Sequence, residues 1–88
     1  MEELQTTHAR VNITYGGNNG DLPDTIHFDT PDPDIKHMVT EAVRGGGVPG
    51  INGDTNADFS DFVVDRFPAN DARPHPLLQV RPKTPFGR

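Results

Sequence analysis

The sequence predicts an α+β domain: one helix packed across one face of a small mixed sheet of about four strands. Three observations lead there. Two segments that alternate apolar and polar residues, Arg10–Tyr15 and Thr25–Asp29, flank a loop dense in Gly and Asn. One stretch, residues 33–44, carries its apolar side chains at helical spacing. Two further apolar segments, Phe62–Phe67 and Leu77–Arg81, follow it.

In the first strand Val11, Ile13 and Tyr15 share a face; in the second Ile26 and Phe28 do. Gly16–Asp21 tolerates positive φ and reads as the loop of a β-hairpin. The helix has a start signal: Asp32 as N-cap, Pro33 at the first helical position, and Asp34 in the first turn near the positive end of the dipole. Ile35, Met38, Val39, Ala42 and Val43 form its apolar stripe, so Met38 is assigned to the core. Gly45-Gly46-Gly47 stops it. Val48 and Ile51 then tuck under the helix, and Asn52–Asp61 reads as a polar loop. Phe62–Phe67 is the third strand, with Phe62 or Val63 inward, although Phe59, Phe62, Val63 and Phe67 also fit a short helical turn. Pro68–Pro76 is a loop, and the last strand points Leu78 and Val80 inward. The expected domain spans 10–82, between a disordered segment 1–9 and a flexible tail 83–88.

Composition narrows the function. A chain of 88 residues is one domain that buries only about 60–65% of its unfolded surface. Apolar residues are 32% of it, against about 45–50% in an average domain. That favours a small binding or carrier module over an enzyme with a deep pocket, and no cofactor is expected. The absence of Cys removes disulfides, thiol catalysis and Cys-based zinc sites. No apolar run is long enough to span a membrane. The acidic start, Met1-Glu2-Glu3, is unlike a secretory signal, so a cytoplasmic location and a monomer are expected. Residues 1–65 hold 12 acids against Arg10, Lys36 and Arg44; residues 66–88 hold Asp71 against five bases. The acidic body argues against nucleic acid as a partner, while the basic end suits an acidic surface or its own body.

Few residues form a chemical motif. Asp54, Asn56, Asp58, Ser60 and Asp65 echo the spacing of a calcium loop, but Phe59 stands where such a loop needs Gly. An Asx-rich loop bonding its own backbone is the better reading, and no metal is expected. His8, His27, His37 and His75 are scattered, with His27 and His37 on outer faces. Gly16–Gly20 lacks the Lys-Ser/Thr of a phosphate loop, and Ser60 is the single Ser.

For the helix to cross the sheet, the last strand must pair in parallel with the first, in the middle of the sheet; this is the β-grasp arrangement. The hairpin Val11–Asp29, the helix after Thr30-Pro31-Asp32, the turn Gly46–Ile51 and the basic tail ending Phe86-Gly87-Arg88 together resemble ubiquitin-like proteins. The resemblance covers about residues 10–88 and is nearest to the small bacterial ubiquitin-like modifiers that accompany conjugation-type enzymes and a metalloprotease. It departs from ubiquitin between Phe67 and Leu77, where the chain is shorter, and at Phe86, which stands in place of a second glycine.

The resemblance implies a protein modifier or carrier, not itself an enzyme. Gly87 would be the conjugated residue, after a processing protease removes Arg88. Leu77, Gln79, Arg81, Lys83 and Phe86 would bind the partners, namely ubiquitin-activating-like and conjugating-like enzymes. Self-linkage would have to use Lys36, Lys83 or the N-terminus. Two alternatives share the fold: a purely non-covalent interaction domain, and a sulfur carrier, which typically ends in a bare Gly-Gly.

Overall fold

β1 (His8–Tyr15) has the predicted alternation, with Ala9, Val11 and Ile13 fully buried. The structure, a computed structural model, describes residues 7–83. The strand begins two residues before Arg10 because Ala9 packs into the core and His8 pairs with His27. Most of the segment 1–9 and of the tail 83–88 lies outside the described residues.

The hairpin is tighter than its composition suggests. Gly16 and Gly17 alone make the turn, at φ 60° and 81°, as a two-residue hairpin turn requires. Asn18–Asp21 is therefore strand β2, antiparallel to β1 from Tyr15↔Asn18 to Asn12↔Asp21. Asn, Gly and Asp have low strand propensity, and side chains hold them instead. Asn12 Nδ2 donates to Asn19 Oδ1 and Asp21 Oδ1, each at 2.9 Å. Pairing resumes at β3 (Ile26–His27), after a bulge in which Leu22–Thr25 face only Arg10 and Val11. Phe28 and Asp29, expected in the strand, already turn towards the helix.

In α1 (Asp32–Arg44) the cap position falls on Pro31, in extended conformation, and no side chain caps the helix. Asp32 pairs instead with Arg66 at 2.5 Å. Arg66 also donates to the carbonyls of Phe28 and Thr30, at 2.6 and 2.8 Å, and so staples the start of the helix to β4 (Phe62–Phe67). The helix ends as its glycines predict. The Gly47 N–H donates to the Ala42 carbonyl and that of Gly46 to Val43, with Gly46 at φ 72°.

The apolar stripe is narrower than predicted. Ile35, Val39 and Val43 are fully buried, Ala42 is half-buried, and Met38 is 39% exposed. Successive helical residues are about 100° apart, which carries Met38 off the ridge centred on Val39 and out of the core.

β5 (Leu77–Pro82) lies in the middle of the sheet. It runs parallel to β1, from Arg10↔Leu77 to Ile13↔Val80, and antiparallel to β4. The main path is β2-β1-β5-β4, with β3 also on β1. The sheet thus has five strands rather than about four, because Asn18–Asp21, expected to be loop, forms β2, and the expected second strand is cut to Ile26–His27. β4 is a strand and not a helical turn; Phe62 and Val64 pack against the core, and Val63 alternates to the other face.

Val48 and Ile51 are buried as predicted. Asn52–Asp61 is more than a polar loop, since Ala57 and Phe59 are fully buried and Phe59 is the largest such side chain. Its ring lies 5.0 Å from that of Tyr15 and 4.5 Å, edge-on, from that of Phe62. Arg44 Nε donates to the Ala57 carbonyl (2.9 Å) and Lys36 Nζ to that of Ser60 (3.1 Å), strapping the loop to the helix.

Candidate functional site

Because strand side chains alternate, burying Leu78 and Val80 sends Leu77, Gln79 and Arg81 to the opposite face of β5. The side chains of that face are half-buried or exposed, and no helix lies over it among the described residues. Register extends it sideways in three rows. Leu77 lies between Arg10 and Phe67, Gln79 between Asn12 and Asp65, and Arg81 beside Val63.

The middle of the face is ordered by its own hydrogen bonds. Gln79 Nε2 donates to Asn12 Oδ1 at 3.2 Å, and Asn19 Nδ2 donates to Asn12 Oδ1 and Thr14 Oγ1, each at 3.1 Å. Arg81 Nε donates to Asp65 Oδ2 at 2.5 Å. Arg81 is therefore already paired, as is Arg66, and part of the basic end is spent within the domain. Of the predicted partner-binding residues, Leu77, Gln79 and Arg81 share the face, Lys83 is exposed just past the end of β5, and Phe86 lies outside the described residues, as do Gly87 and Arg88. Arg10, Asn12, Asp65 and Phe67 belong to the same face and were missed. Their signal is present in the sequence: they are the outward partners of the inward residues of β1 and β4.

The Asx-rich loop works as a structural element. Asp54 accepts from the Asn56 N–H and Asp58 from the Ser60 N–H, each at 2.9 Å. Asp65, the last residue of the calcium-like spacing, points to Arg81 on the open face. Asp58 is held below the usual carboxylate range chiefly by the Ser60 N–H.

Tyr15 and Asp54 form a coupled pair, with the hydroxyl donating to Asp54 Oδ2 at 2.7 Å. That bond, then burial and the negative charges of Asp54 and Asp58, raise the Tyr15 pKa above its ordinary 10.0. The same bond, then the Asn56 N–H, holds Asp54 below its ordinary 3.8, against the opposing effect of burial. The stability carried by the pair is complete between these two values. A lowered carboxylate pKa means loss as pH falls below about 4; a raised phenol pKa means loss as pH rises above about 10. Tyr15→Phe keeps the ring against Phe59 and removes the hydroxyl, so its curve of Tm against pH should be flatter at both ends. A Tyr15→Phe curve parallel to the parent's above pH 10 would contradict the pairing.

Searches against known families, characterised proteins and solved structures find no match for this chain. Among the described residues the geometry defines a small α+β protein with one helix on one face of a five-stranded mixed sheet and an open, mostly polar face on the other. No helix among the described residues is long and apolar enough to cross a membrane.

Proposed function

We propose that the chain is a ubiquitin-like protein modifier or carrier of the β-grasp type, acting through the carboxylate of Gly87. One observation carries the reading. The last strand lies parallel beside the first at the centre of the sheet, with a single helix on one face. This leaves the opposite face free for partners and makes the chain beyond Lys83 continuous with a central strand.

In this reading a protease hydrolyses the peptide bond between Gly87 and Arg88. The freed carboxylate attacks the α-phosphate of ATP on an activating enzyme, giving an acyl adenylate and releasing pyrophosphate. A cysteine thiolate of that enzyme then displaces AMP and forms a thioester, which a conjugating enzyme passes to an amine. Glycine suits the reacting end because its acyl carbon is unhindered. Leu77, Gln79 and Arg81, with Arg10 and Asn12 beside them, form the docking face. Lys83 and Phe86 contact the enzymes as the tail enters them.

The test incubates the full-length chain, the form lacking Arg88, and that form with Gly87→Ala, each with ATP and a ubiquitin-activating-like enzyme, if one is encoded nearby. The expected result is a thioester with the trimmed form and far less with Gly87→Ala. A non-covalent interaction domain is the second reading, favoured by an open face whose polar side chains already bond one another. Equal inertness of all three forms, with an enzyme active on another substrate, would select it.

A further inference from the structure

Where β1 and β5 begin, the open face ends in a groove of about 510 Å3, within the ~300–1,000 Å3 of small-molecule sites. Its charged and imidazole side chains come from two segments distant in sequence, and Thr25 adds a hydroxyl from the bulge before β3. Arg10 and His8 come from β1, and Arg73 and His75 from the loop leading into β5. Pro74, Pro76 and Leu77 supply the apolar part of the lining, and no carboxylate is among the described lining residues. In a chain of net charge −5, this is a local concentration of positive charge and hydrogen-bond donors.

Two details single out its donors. Arg73 Nε is buried and has no hydrogen-bond partner among the described residues, whereas buried donors are nearly always paired. The guanidinium lies 5.6 Å from the centre of the Phe67 ring, and its Nη2 reaches only the Pro68 carbonyl, at 3.3 Å. On the other wall, Thr7 Oγ1 sits 3.1 Å from His8 Nδ1, which leaves Nε2 as the ring nitrogen for a ligand.

We propose that this groove binds a small phosphate monoester with an apolar or aromatic body. Two guanidinium groups and two imidazoles suit the several oxygens and double charge of a phosphate better than the single charge of a carboxylate. The exposed ring of Pro74 and the half-buried Leu77 side chain take the body. The groove lies at Leu77, about five residues, or roughly 17 Å, along β5 from its end at Pro82, and its test reads ligand binding, not conjugation. The site therefore stands or falls independently of the modifier reading.

The probe is phenyl phosphate, titrated into the full chain while amide and Arg side-chain NMR signals are followed. Saturable shifts are expected at His8, Arg10, Arg73, His75 and Leu77. Arg10→Gln and Arg73→Gln should each weaken binding about tenfold, the effect of losing one charge-assisted contact. The Arg73 side chain also bonds the Pro68 carbonyl and lies over Phe67, so the exposed Arg10 is the variant that leaves the fold untouched. Inorganic phosphate should bind more weakly, since it lacks the body. The proposal is overturned if no saturable shift occurs up to about 10 mM, or if Arg10→Gln binds as well as the parent. It is also overturned if benzoate or a short acidic peptide binds more tightly than phenyl phosphate, or if inorganic phosphate binds equally well.

Discussion

Val39→Asp is expected to leave the chain unfolded, while Met38→Asp one position away is expected to fold. Val39 is fully buried among Ile35, Val43 and the inward residues of β1 and β5. No buried polar or charged residue exists in that core among the described residues. A carboxylate at position 39 would find no partner, and an uncompensated buried charge costs several kcal/mol. A chain of this length has about 5–10 kcal/mol of stability in all. Met38 is 39% exposed, so a carboxylate there stays in water and costs under about 1 kcal/mol. Circular dichroism and amide dispersion of the two variants check the contrast. A cooperative melt for Val39→Asp, or its loss in Met38→Asp, would show that the helix is rotated from the orientation described.

Phe59→Ala should cost about 3–5 kcal/mol, the range for emptying a large aromatic site in a core. Phe59 is the largest fully buried side chain and comes from a loop, not from a strand or the helix. It joins Tyr15 of β1 to Phe62 of β4 through ring contacts of 5.0 and 4.5 Å. Removing it deprives the sheet of a contact between strands that do not pair and loosens the loop that carries Asp54. Phe67→Ala is the companion measurement; Phe67 is 36% exposed on the open face and should cost under about 1 kcal/mol. Urea denaturation reads both. A Phe59→Ala midpoint close to the parent's would mean that the loop does not close the core.

Much of this architecture is legible in the chain because large residues recur at clear periods. Val11, Ile13, Leu78 and Val80 alternate, and Ile35, Val39 and Val43 recur every fourth position, so the first and last strands and the helix could be read directly, and their parallel pairing followed from the need for the helix to cross the sheet. What escaped was decided by tertiary contacts. Asn18–Asp21 has loop composition and becomes a strand because a Gly-Gly turn and the Asn12 side chain hold it against β1. Phe59 lies in a polar context and is buried because Arg44 and Lys36 draw its loop onto the helix. Asp32 has the chemistry of a cap but is taken by Arg66 from a strand more than 30 positions away. Leu77, Gln79 and Arg81 were placed on one face by alternation alone. The pairing of Arg81 with Asp65 depends on the register of β4, which a single sequence does not display.

The open face, the groove and the root of the tail all follow from one feature, the parallel pairing of β1 with β5 at the centre of the sheet. Cross-strand NOEs in an isotopically labelled sample test it directly. The account predicts the parallel pattern linking Arg10–Ile13 to Leu77–Val80 in register, together with antiparallel contacts from Val63↔Arg81 to Phe67↔Leu77 on the other side of β5. An antiparallel pattern between β1 and β5, or a β5 with a partner on one side only, would contradict it.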